Sequence, residues 1–125
     1  MQRNMDLVRL ILSRIESSTS GRVPRDFGIE GYPADQVRYH AHIMMQEGLI
    51  DAVDVSNMRS PGPEAIPTSL TWKGHEFLDL ARDQDRWNRA KAIIAKVGSA
   101  PISFWVKVLQ DLLAQSLDSA TAKIG

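Results

Sequence analysis

The chain has 125 residues, 43% hydrophobic and 24% charged, a mixture that fits one folded domain and argues against intrinsic disorder. Without cysteine it can have no disulfide, no thiol nucleophile and no cysteine-ligated metal. Fifteen basic residues balance fifteen acidic ones, with −2 over residues 1–70 and +2 over 71–125, so neither half is a basic domain. Strong nonspecific nucleic-acid binding, which depends on neutralising phosphates, is not expected.

In chain order, Met5, Val8, Leu12 and Ile15 recur at helical spacing, widened by Leu7 and Ile11, and predict a helix over 5–17. Asn4 is its expected N-cap, and SSTSG at 17–21 ends it. Residues 22–33, with two prolines and two glycines, allow at most a short strand or one helical turn.

A second helix is expected over 34–47, with Pro33 at its first position and Gly48 as a left-handed C-terminal cap. Val37, Ala41, Met44 and Met45 form its apolar stripe, and Asp35, Arg38, His42 and Gln46 the polar, outward one. A strand at 49–55, a loop at 56–64 and an alternating strand with Ile66, Thr68, Leu70 and Trp72 on one face make a β-hairpin. Pro67 marks an edge strand.

Further helices are expected at 72–82, capped by Thr71, at 84–97 with Trp87, Ala90, Ile94 and Val97 on one face, and at 102–117. SATAKIG at the end reads as a frayed tail.

The order helix, connector, helix, Gly-Leu-Ile, strand, loop, strand, helix is the outline of a winged helix, with 34–47 in the recognition position and 56–64 as the wing. The fold class expected is mostly α (α+β), a winged helix-turn-helix-like domain at 1–82 with a small hairpin wing. A C-terminal helical extension at 83–125 would belong to the same compact unit.

The segments MDLVRLIL, GYPADQVRYHAHIMMQEGLIDA and PTSLTWKGHEFLDLARDQDRWNRAKAII also resemble an uncharacterised winged-helix family found mostly in bacteria, phages and prophages. EGLI followed by LTWKGHEFL is more loosely similar to winged-helix repressors, which carry a separate helix where 22–33 offers at most one turn. The resemblance implies a fold and a phage or prophage setting, and no activity.

Enzyme chemistry finds no support. His40 and His42 diverge by about 200° on a helix, where a zinc pair needs three- or four-residue spacing. His75 lies in no HExxH, and there is no phosphate loop, GxGxxG or GxSxG. Asp83 and Asp85 read as helix-start residues. No metal and no cofactor are expected. His40 and His75 are expected to satisfy local hydrogen bonds.

Two binding functions remain, both in the cytoplasm, since nothing resembles a secretory leader or a membrane span. The first is a DNA-binding transcriptional regulator. Gln36, Arg38, Tyr39, His42 and Gln46 would face double-stranded DNA, Arg59 would enter the minor groove, and Arg22, Arg25 and Lys73 would touch phosphate. The second is a protein-interaction module, such as a phage inhibitor of a host factor or defence complex. Asp35, Glu47, Asp51, Asp54 and Glu64 among those residues suit a protein better than a polyanion, and Met58 offers an exposed contact. Trp105, Leu109, Leu112 and Leu113 suit either core packing or a homodimer seam.

Overall fold

The computed structural model describes residues 1–18, 23 and 26–124; Arg22, Arg25 and most of the turn expected at 17–21 lie outside them. The fold is mostly helical with one antiparallel hairpin, consistent with a winged-helix-like arrangement. Two compact units emerge, Met1–Leu78 and Asp79–Gly125. Among the described residues no helix is long and apolar enough to cross a membrane.

In the first unit, α1 spans Met5–Glu16. Asn4 caps it as expected, its side chain accepting the Leu7 N–H at 3.2 Å. Leu7, Val8, Ile11, Leu12 and Ile15 are all buried, as their helical spacing demands. Each such side chain contributes roughly 1.5–3 kcal/mol by leaving water. Residues 26–33 form turns and no regular element.

Helix α2 spans Ala34–Glu47 and buries Val37, Ala41 and Met44; Met45 is half-buried. Pro33 is not the first helical residue. It caps the helix with extended backbone, and its carbonyl accepts the Val37 N–H at 3.1 Å. The proline ring cannot cap through a side-chain hydrogen bond, and the Asp35 carboxylate takes the Gln36 N–H instead. At the other end Gly48 has φ +83°, where an L side chain is strained. Gly48 N–H donates to the Met45 carbonyl and Leu49 N–H to that of Met44, the paired bonds of a Schellman cap.

Strand β1 is Ile50–Asp54 and β2 is Ala65–Leu70, joined by the wing at 55–64. The expected face of Ile66, Thr68, Leu70 and Trp72 is not the buried one. Ala65 and Pro67 are buried, Thr68 is exposed, and Trp72 lies in the next helix, 81% exposed. The cause is a β-bulge. Asp51 pairs with Ser69 and Ala52 with Pro67, leaving Thr68 as an extra residue that resets the alternation. Pro67 lies in a two-stranded sheet, where both strands are edges.

Helix α3, Trp72–Ala81, starts where the hairpin ends. Thr71 caps it as expected, accepting the Gly74 N–H at 3.0 Å. Thr71 also donates its hydroxyl to the Gly48 carbonyl and its N–H to that of Leu49. Gly74 is required here: a Cβ would lie 2.0 Å from the Leu49 carbonyl oxygen. One knot thus joins the end of α2, the start of β1 and the start of α3.

The second unit holds α4, Gln84–Ala95, and α5, Ile102–Ile124. Asp83 caps α4, its carboxylate accepting the Arg86 N–H at 2.7 Å. Trp87, Ala90 and Ile94 are buried. Val97 is not on that face: α4 ends two residues earlier, in a turn closed by the Val97 N–H to the Ile94 carbonyl, and Val97 is 66% exposed. Trp87 stacks on Trp105 with ring centroids 4.9 Å apart. Helix α5 continues through the tail expected to fray, because neither glycine nor proline interrupts residues 102–124.

Candidate functional site

Helix α2 packs along both strands of the hairpin, and α1 packs on α2 and β2. Two polar links tie α2 to the neck of the wing. His42 Nε2 lies 3.3 Å from Asp54 Oδ2, and Arg38 Nη1 lies 4.0 Å from Glu64 Oε2. Arg38 and His42 are one turn apart on α2, and Asp54 and Glu64 bracket the wing loop, so two side chains meet two carboxylates in register.

This corrects the outward placement expected of His42. It is only 8% exposed, because the neighbouring strand supplies a carboxylate that makes burial tolerable. Its Nδ1 is buried without a hydrogen-bond partner among the described residues. Arg38 is half-buried and reaches toward the hairpin, where the Glu64 residue is itself buried. Sequence reasoning placed Glu64 among the acidic residues of this region and missed its burial beside Arg38. The available signal was a pair of carboxylates flanking the loop, opposite a cation and a histidine at helical i, i+4 spacing.

The neck is closed by its own hydrogen bonds. Ser56 Oγ accepts the Glu64 N–H at 2.7 Å and donates to the Glu64 carbonyl at 3.2 Å, and Val55 N–H donates to the same carbonyl at 2.9 Å. Asp54 accepts the Ser56 N–H at 2.9 Å. That N–H, first, and His42 hold the Asp54 carboxyl below its ordinary value.

At the opposite end of α2, Lys73 Nζ donates to Glu47 Oε1 at 2.9 Å and to the Glu47 carbonyl at 3.0 Å. Gln46 is exposed nearby, and on β1 the exposed Asp51 accepts the Ser69 hydroxyl at 3.2 Å. Gln36 and Tyr39 are half-buried at the start of α2. Tyr39 meets His40 edge to face, with centroids 5.8 Å apart.

His40 is fully buried and both its nitrogens are used. Nε2 accepts the Asn4 N–H at 2.8 Å, so Nδ1 carries the proton donated to the Gln36 carbonyl at 2.8 Å. One of these bonds is local and the other ties α2 to the cap of α1. Burial, against the Gln36 bond, pushes its pKa below 6.5. His75 is exposed on α3. No group of side chains suited to hold a metal ion occurs among the described residues.

Arg59 stands apart from these links, exposed at the wing tip beside Met58. Trp105, Leu109 and Leu112 are buried in the single chain and Leu113 is half-buried, with the Trp105 ring against Trp87.

The arrangement is therefore a mixed-charge face. The exposed Asp35, Glu47, Asp51 and Asp54 and the buried Glu64 accompany Arg38, Lys73 and Arg59 on α2, the hairpin and the start of α3, with Arg38 beside Glu64 and Lys73 beside Glu47. Three large apolar side chains, Val53, Met58 and Trp72, are exposed on the hairpin and at its exit.

No solved structure matches the chain. An uncharacterized protein of Haemophilus influenzae (strain Rd) is 35% identical over 121 residues, covering 94% of this chain and 99% of that protein. A family model described as "Hypothetical protein (DUF2513)" matches residues 2–100, which take in the first unit and α4. The chain belongs to this DUF2513 family.

Proposed function

We propose that the chain is a non-enzymatic binding module of phage or prophage type that engages a host protein through the face formed by α2 and the wing. One observation carries this reading: Arg38 and Lys73 each lie beside a carboxylate, Arg38 Nη1 4.0 Å from Glu64 and Lys73 Nζ 2.9 Å from Glu47. A phosphate competing for either cation would meet a carboxylate already in place and be repelled by it. A protein surface offers both signs and accommodates such a face. The exposed Val53, Met58 and Trp72 add apolar area of the kind interfaces use.

Affinity purification of the full chain from its host, with and without nuclease, tests the reading. A stoichiometric protein retained after nuclease treatment is expected. A chain that carries DNA, and loses everything it carries on nuclease treatment, contradicts it.

A DNA-binding regulator is the second reading. It is favoured by the winged-helix-like order, the exposed Gln46 and Arg59 at the wing tip, which has no carboxylate partner among the described residues. Under it, Gln46→Ala and Arg59→Ala would each weaken a specific operator complex by roughly 1–3 kcal/mol.

A further inference from the structure

The tip of the wing is a turn that orders itself. Asn57 Oδ1 accepts the Arg59 N–H at 2.8 Å, Ser60 Oγ accepts the Asn57 N–H at 3.0 Å, and the Ser60 N–H donates to the Asn57 carbonyl at 3.1 Å. None of these bonds uses the side chain of Met58 or Arg59. Pro61 and Pro63 stiffen the returning limb, and the Ser56–Glu64 bonds close the loop behind it.

The two side chains left over are an apolar one and a charged one, side by side. Met58 is 104% exposed, so it contributes nothing to the fold. Arg59 is the only charged residue between Val55 and Glu64. Among the described residues no carboxylate pairs with its guanidinium, in contrast to Arg38 and Lys73. A stiff turn loses little conformational freedom on docking, and a thioether adapts its shape to an apolar pocket. One apolar anchor beside one unpaired cation is complementary to an apolar pocket with an acidic rim.

We propose that the Asn57–Ser60 turn anchors the interface, with Met58 entering an apolar pocket of a protein partner and Arg59 pairing with a carboxylate on that pocket's rim. This rests on the protein-binding reading above. It adds the chemistry the partner must present and the two side chains that meet it.

The test places photoreactive benzoylphenylalanine at Met58 of the full chain and, as a control, at the exposed Gln110 of α5, and irradiates each in the host. The adduct site is mapped by mass spectrometry, and the partner so found is purified for affinity measurements. A protein adduct from position 58 and not from 110 is expected. Met58→Glu and Arg59→Glu should each weaken binding about tenfold or more without changing the melting temperature, and Met58→Leu should bind as the unchanged chain does. Replacing the rim carboxylate of the partner with Lys should restore binding of the Arg59→Glu chain.

An adduct to nucleic acid, or variants that bind as tightly as the unchanged chain, overturns the proposal. A protein captured by the whole chain without an adduct at position 58 overturns the anchor and leaves the protein-binding reading standing. Failure to retain any protein, together with DNA adducts at position 58, overturns both.

Discussion

The two ends of the wing are made of the same kinds of residue and use them in opposite ways. At the neck, Asp54 and Glu64 are engaged by His42 and Arg38, and Ser56 bonds the backbone of Glu64. At the tip, Asn57 and Ser60 bond only the local backbone, and Met58 and Arg59 are left facing solvent. Arg38 and His42 of α2 are thus turned toward the carboxylates of the neck, while Met58 and Arg59 at the tip remain available. The helix that the element order places in the recognition position spends Arg38 and His42 on the fold, and the wing carries the unspent chemistry.

Substitutions at the hairpin's anchorage and at its tip should separate stability from binding. The largest stability effect belongs to Gly74→Ala. Its Cβ would meet a backbone carbonyl rather than a movable side chain, so the cost should reach or exceed about 3 kcal/mol, a fall of roughly 10 °C or more in melting temperature. A melt unchanged from the original would show that α3 does not press on Leu49. At the neck, His42→Ala removes a buried ring and leaves Asp54 without its helix partner. About 1–3 kcal/mol is expected, read as a lower melting temperature with faster amide exchange across residues 55–63.

Acid should act through His40 first. Its pKa is depressed in the folded chain, so the unfolded chain takes up the proton first as pH falls. The stability it contributes is fully present above 6.5 and is lost as pH drops from there through the folded-state value. Protonation would also set an N–H against the Asn4 N–H. A thermal melt series between neutral and mildly acidic pH should show this slope, and His40→Gln should flatten it. At the tip, Met58→Ala and Arg59→Ala should change stability by no more than about 0.5 kcal/mol, measured by denaturant titration, while weakening partner binding.

What was legible in the sequence was local. The period of α1 and α2, the left-handed Gly48, and the caps at Asn4, Thr71 and Asp83 each depend on residues a few positions apart, and all are where spacing and capping chemistry put them. What was not legible depended on partners farther away. A one-residue bulge at Thr68 is invisible to an alternation rule, yet it moves burial from Ile66 to Ala65 and Pro67 and leaves Trp72 out of the hairpin. His42 looks outward on a helical wheel because the wheel contains no Asp54. Glu64 reads as a loop carboxylate until Arg38 and the Ser56 bonds enclose it. Of the candidate site, Gln46 and Arg59 are exposed, while Arg38, His42 and Lys73 face carboxylates of neighbouring elements.

The account turns on whether the carboxylates of this face occupy its cations. Fluorescence anisotropy of labelled random-sequence duplex DNA, titrated with the purified chain at ~50 mM salt and again at higher salt, measures that directly. No binding is predicted at either concentration. A micromolar complex that dissociates steeply as salt rises, and that Arg38→Ala and Lys73→Ala weaken, would show these two cations free to neutralise phosphate and would contradict the account.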